Sequence, residues 1–112
     1  MLKNTVSPLV MVTFDTSTFV AGYQSINPSG FEGWPFYLLF YNASNAVVTV
    51  SYDGVNPAFV MPATSTRDAN FQANSSGPSF QLVLPKGSQI YLSGAAGIGN
   101  FYVSGYYQQE QN

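Results

Sequence analysis

Turn-forming residues recur along this chain at short intervals, and that punctuation constrains its fold more than any other feature. Ten glycines and seven prolines, with clusters of Asn, Ser and Asp between them, divide the sequence into short segments. Strong helix formers are scarce: there are three Lys plus Arg in all, and the only glutamates are Glu32 and Glu110. Between the breaks stand β-branched and aromatic residues, the types that suit a pleated, half-buried surface.

The segments read as strands. Leu9 to Phe14 is the first, closed by Asp15-Thr16-Ser17, and Phe19 to Ile26 is the second, closed by Asn27-Pro28-Ser29-Gly30. Phe31-Glu32-Gly33-Trp34-Pro35 is an aromatic loop. Phe36 to Tyr41 is continuously apolar, which predicts a central strand buried on both faces. Asn42-Ala43-Ser44-Asn45 is a turn, because Asn and Ser side chains bond the local backbone. Ala46 to Tyr52 alternates, with Val48, Val50 and Tyr52 on one face. Asp53-Gly54 predicts a tight hairpin turn. Ala58 to Met61 is a short strand closed by Pro62, and Ser65 to Gln72 is weakly patterned. Asn74 to Pro78 is a loop, and Phe80, Leu82 and Leu84 then alternate before the turn at Pro85-Lys86-Gly87. Ile90 and Leu92 repeat the pattern, Gly94 to Gly99 connects, and Phe101 to Gln108 is the last strand. Its Phe101, Val103 and Tyr107 share one face, and Tyr102, Ser104 and Tyr106 the other.

Eight or nine short, mainly antiparallel strands at this spacing predict an all-β fold, a single β-sandwich or jelly-roll-like domain over residues 1–112, with 108–112 a flexible polar tail. For a chain of this size, folding hides about two-thirds of the unfolded surface, enough for one core.

Charge is the second constraint. Only 7% of residues are charged, against about 25% in an ordinary soluble domain. They are Lys3, Asp15, Glu32, Asp53, Arg67, Asp68, Lys86 and Glu110. A surface so poor in ions is either covered by neighbouring subunits or kept in water by neutral polar groups. Three scattered cations do not make a phosphate-binding patch, so nucleic acid is not an expected partner. The longest nearly apolar run, Pro35 to Tyr41, is too short to span a bilayer, so no membrane role is expected. No signal-peptide pattern opens the chain, which points to synthesis in the cytoplasm.

Little here does chemistry. There is no His and no Cys, which removes the common nucleophile–base pairs and most zinc sites, so neither enzyme activity nor a cofactor is expected. Among the carboxylates, Asp15 and Asp53 read as turn residues and Glu110 as tail, leaving Glu32 and Asp68 as the one pair that could serve a glycosidase. Asp53-Gly54-Val55-Asn56 could offer calcium ligands but reads better as a turn. Asn42-Ala43-Ser44 and Asn74-Ser75-Ser76 match the glycosylation acceptor pattern.

The aromatics remain. Nine Phe, eight Tyr and one Trp exceed what one small core takes up. Phe31, Trp34, Phe36, Tyr102 and Tyr106 are the candidate assembly interface, since rings with a polar handle favour interfaces. The same rings could instead stack on sugars, making a carbohydrate-binding module with a glycan as partner.

Residues 41–107 also carry a recognisable rhythm. Asn42-Ala43-Ser44-Asn45 is followed by Val48-Thr49-Val50-Ser51-Tyr52-Asp53-Gly54, a strand closed by Pro62, and Leu84-Pro85-Lys86-Gly87-Ser88. This pattern resembles small β-sandwich virion proteins of tailed bacteriophages; its motifs are turn chemistry and strand patterning. The resemblance implies a non-enzymatic structural protein of the virion, in particular a capsid decoration or cement protein, or else a neck or tail component. It would be a homo-oligomer whose partners are the major capsid protein or other virion subunits. Residues 1–35 carry no such match.

Overall fold

The computed structural model describes residues 6–70 and 86–108. The expected strand at Phe80 to Leu84, the Asn74 acceptor motif and the tail beyond Gln108 lie outside the described residues.

The chain forms β1 (Val6–Pro8), β2 (Val12–Asp15), a single 3-10 turn (Thr16–Thr18), β3 (Gln24–Ser25), β4 (Trp34–Asn42), β5 (Val48–Ser51), β6 (Phe59–Met61), β7 (Ser65–Asn70), β8 (Tyr91–Gly94) and β9 (Asn100–Gln108). Every pairing is antiparallel. One sheet has five strands in the order β1-β9-β4-β7, with β2 also on β9; the other has four, in the order β3-β8-β5-β6. β1 and β2 pair with successive stretches of the same edge of β9, residues 106–108 and 100–103.

Among the described residues from β2 onward, the chain passes from one sheet to the other at nearly every connection, and only β5 to β6 is a local hairpin. The result is two four-stranded layers, β2-β9-β4-β7 over β3-β8-β5-β6, the double Greek key of a jelly roll.

The core lies between the layers. Leu38 and Phe40 of β4, Val48 and Val50 of β5, Met61 of β6, Leu92 of β8 and Phe101 and Val103 of β9 are buried, with Ile90, Leu9, Phe19 and Ile26. Each such side chain contributes about 1.5–3 kcal/mol by leaving water. Phe40 meets Phe59 edge-on across the layers, ring centroids 5.1 Å apart.

Four expectations change. β4 is central, between β9 and β7, but buried on one face only: Leu38, Phe40 and Asn42 point inward while Leu39 and Tyr41 are 36% and 45% exposed. Its outer face has no covering layer among the described residues. The second strand shrinks to Gln24–Ser25, because the Asp15 carboxylate caps the 3-10 turn by accepting from the Ser17 N–H (2.9 Å) and the Gln24 side chain accepts from the Val20 N–H (2.9 Å). Asp53-Gly54 opens a longer loop over 52–58 rather than a two-residue hairpin. Gln108 is the last residue of β9, opposite Val6 and Trp34, and not part of a tail.

Candidate interaction surface

The outer face of the five-stranded sheet is built by alternation. On β4 the outward residues are Tyr37, Leu39 and Tyr41; their partners on β9 are Tyr106, Ser104 and Tyr102, and on β7 Asn70, Asp68 and Thr66. Two tyrosine pairs therefore stand directly across the β4–β9 ladder. Tyr41 and Tyr102 stack at 5.9 Å with 15° between planes, and Tyr37 and Tyr106 lie 6.1 Å apart at 34°. Four residues of strand separate the pairs, about 13 Å, with Leu39 and Ser104 between them.

The Tyr37 hydroxyl donates to Asp68 Oδ2 at 3.1 Å. Partial desolvation, and then that bond to a carboxylate, hold the Tyr37 phenol above its ordinary pKa. Asp68 is the only charge among these nine side chains.

At the Tyr37–Tyr106 end the face opens into a groove of about 810 Å³. Leu39, Ser104 and Gly105 lie between walls that include Phe36, Tyr37, Tyr106 and Pro8. A register shift between Pro35 and Tyr37 makes it: the extra residue, Phe36, turns into the groove while Pro35 stays buried.

The Tyr41–Tyr102 end leads to a tip where four connections meet, over 16–23, 43–47, 62–64 and 95–99. They are tied together by hydrogen bonds. Gly97 N–H donates to Thr16 O (3.2 Å), Thr16 Oγ1 to Gly99 O (2.8 Å), Asn45 N–H to Ile98 O (3.0 Å), Ile98 N–H to Asn45 Oδ1 (2.9 Å) and Thr64 N–H to Ser44 O (3.2 Å). These connections contain no charged residue, yet they present Val20, Val47 and Ile98 at 64%, 56% and 78% exposure.

The five rings singled out in the sequence do not form one cluster. Tyr102 lies at the tip end, Tyr106 and Phe36 at the groove, and Trp34, 36% exposed, at the start of β4. Phe31 is the correction: it is 6% exposed and belongs to the core. Its N–H donates to Ser88 O and its carbonyl accepts from Gly87 N–H (both 3.0 Å), which pins its loop to the second sheet and turns the ring inward. Tyr37, Leu39 and Tyr41 were missed as surface residues because an unbroken apolar run reads as buried on both faces. The tyrosines at i and i+4, with polar hydroxyls, were the available signal.

The candidate chemistry comes apart in space. Glu32 borders a small cavity with Leu9, Val12 and Phe31, whereas Asp68 lies on β7 beside Arg67 and Tyr37. Among the described residues no three His, Cys, Asp or Glu side chains gather as metal ligands. The Asp53 carboxylate accepts from the N–H groups of Val55 and Asn56 (both 2.8 Å), the Asn56 amide (3.0 Å) and the Ser51 hydroxyl (3.0 Å). It serves as the turn's cap, and those donors hold its pKa far below the usual range. Asn42 is fully buried with its amide bonded, so its glycosylation motif is closed in the folded chain. No helix among the described residues is long and apolar enough to cross a membrane.

Fold and face together define a small all-β jelly roll with a tyrosine-bearing outer sheet face that carries one charge, Asp68, and an uncharged tip. No protein-family model and no curated protein matches the chain. Among solved structures it is similar to a chain of the virus-like particle of extra small virus from the giant freshwater prawn Macrobrachium rosenbergii, determined by cryo-EM. That likeness has a TM-score of 0.53 at 11% identity and covers 100% of this chain and 83% of the other.

Proposed function

We propose that this chain is a non-enzymatic structural protein of a virus particle, binding other virion subunits through its uncharged surface. The observation that carries the reading is the tip. Val20, Val47 and Ile98 stand exposed on connections held rigid by cross-loop bonds, next to the Tyr41–Tyr102 stack. Preformed apolar surface of this kind loses little entropy when a subunit covers it. The likeness to a chain of a virus-like particle supports the same class. In this reading Tyr102 contributes to subunit contacts, Trp34 at the far end of β4 lies outside the tip contact, and the protein resides in the virion.

The narrower role, capsid decoration or cement in a tailed phage, rests on the motif resemblance in residues 41–107. A second role, a subunit that builds the shell with copies of itself, is favoured by a jelly-roll likeness spanning the whole chain. Expression of the chain alone, followed by light scattering and electron microscopy, separates them. A shell subunit forms closed particles. A decoration protein forms at most a small oligomer and binds only to preformed particles. A chain that stays monomeric at high concentration and is missing from purified particles by mass spectrometry would end both.

A further inference from the structure

The groove at the Tyr37–Tyr106 end has a chemistry that subunit contact at the tip does not use. We infer that it is a binding site for a neutral oligosaccharide. Among the described residues its lining, which includes Phe36, Tyr37, Leu39, Ser104 and Tyr106, has no ionised side chain. The volume, about 810 Å³, falls within the range typical of small-molecule sites. Ring faces and aliphatic surface alternate there with hydroxyls: Tyr37 and Tyr106 stand across the ladder, with Leu39 and Ser104 one rung further along.

That alternation selects the ligand class. A pyranose has an apolar face of C–H groups and a rim of hydroxyls, so it matches tyrosine faces bordered by Ser104 and the Tyr106 hydroxyl. The Tyr37–Asp68 pair at the margin adds a carboxylate that accepts from sugar hydroxyls, a charge-assisted bond stronger than a neutral one. The same carboxylate disfavours anionic sugars, and no cation among the described residues lines the groove to hold phosphate or sulfate. The site is preorganised, because the wall residues stand on paired strands and the Phe36 wall is set by the β4 register shift. Gly105 keeps the base of the groove close to β4, where any side chain would strike the Tyr37 carbonyl.

The experiment is a titration of the isotope-labelled full chain with cellohexaose, maltohexaose and chitohexaose up to about 10 mM, read by amide NMR shifts, a ceiling that largely fills even a site with a Kd of about 1 mM. A decaproline peptide, the other partner an aromatic groove can take, is titrated in parallel. Saturable shifts with at least one sugar, centred on Phe36, Tyr37, Leu39 and Tyr106, are the expected result. Tyr106→Ala and Ser104→Trp should each weaken binding about tenfold or more, and Val60→Thr on the other sheet should leave it unchanged. No shift with any of the three sugars would overturn the inference. So would shifts centred on Tyr41 and Tyr102, tighter binding of the peptide than of every sugar, or binding indifferent to both groove variants. Because the titration uses the free chain, its failure would not bear on assembly into a particle.

Discussion

Gly105 has φ +154°, and a Cβ built there would lie 2.0 Å from the Tyr37 carbonyl oxygen, a backbone atom with nowhere to go. Backbone strain and overpacking each cost about 1–3 kcal/mol, so Gly105→Ala should lower stability by about 3 kcal/mol or more. A urea midpoint close to wild type would show that β4 and β9 can separate locally. Asp53 sets a different dependence. Hydrogen bonds from backbone and side-chain donors depress its folded-state pKa below the unfolded value near 3.8, so its stabilisation is full above that value and is lost as pH falls towards the folded pKa. Asp15, whose carboxylate accepts from the Ser17 hydroxyl and N–H, is depressed in the same sense. Urea midpoints should therefore fall as pH drops from about 4 to about 2, and the slope should be shallower in Asp53→Asn.

At the scale of elements, one side chain ties two strands and a turn together. The amide of Asn42, the last residue of β4, donates to Ala46 O (2.8 Å), Met61 O (3.3 Å) and Pro62 O (3.0 Å), and its carbonyl accepts from the Ser44 N–H and hydroxyl (3.1 and 2.6 Å). It holds the β4–β5 turn and the end of β6, and no buried side-chain polar atom among the described residues is left unpaired. Asn42→Ala strips donors from buried carbonyls and should cost about 3 kcal/mol. Asn42→Asp, equal in size but facing those carbonyls with an oxygen, should be at least as damaging at neutral pH. Thermal unfolding of the two variants side by side checks the order.

For the whole molecule, the described layers cover one face of each sheet, and among the described residues the outer face of β4 and β9 and the tip are left open. If the tip is a subunit contact, Ile98→Asp should abolish self-association or particle binding. Its melting temperature should stay within a few degrees of wild type, because an exposed residue contributes little to folding. Light scattering and circular dichroism on the same sample read both. Full association by the variant would move the contact away from the tip.

The fold class was legible because it depends on local chemistry. Breakers set segment length, and alternation placed Val48, Val50, Leu92, Phe101 and Val103 inward, as the structure has them. The local backbone bonding of Asn42 and Asp53 was legible too, although the longer loop in place of a two-residue hairpin at Asp53-Gly54, and the bonds that Asn42 makes to Met61 and Pro62, were not. What tertiary structure alone decided is which surface stays open. Phe36 to Tyr41 has the composition of a strand covered twice, and only the stacking order of the layers leaves Leu39 and Tyr41 uncovered. Phe31 and Phe36 read alike in sequence, yet a hydrogen-bonded loop turns one into the core and a register shift turns the other into the groove. Propensity and alternation act between neighbours along the chain, whereas exposure depends on what long-range pairing brings over each face.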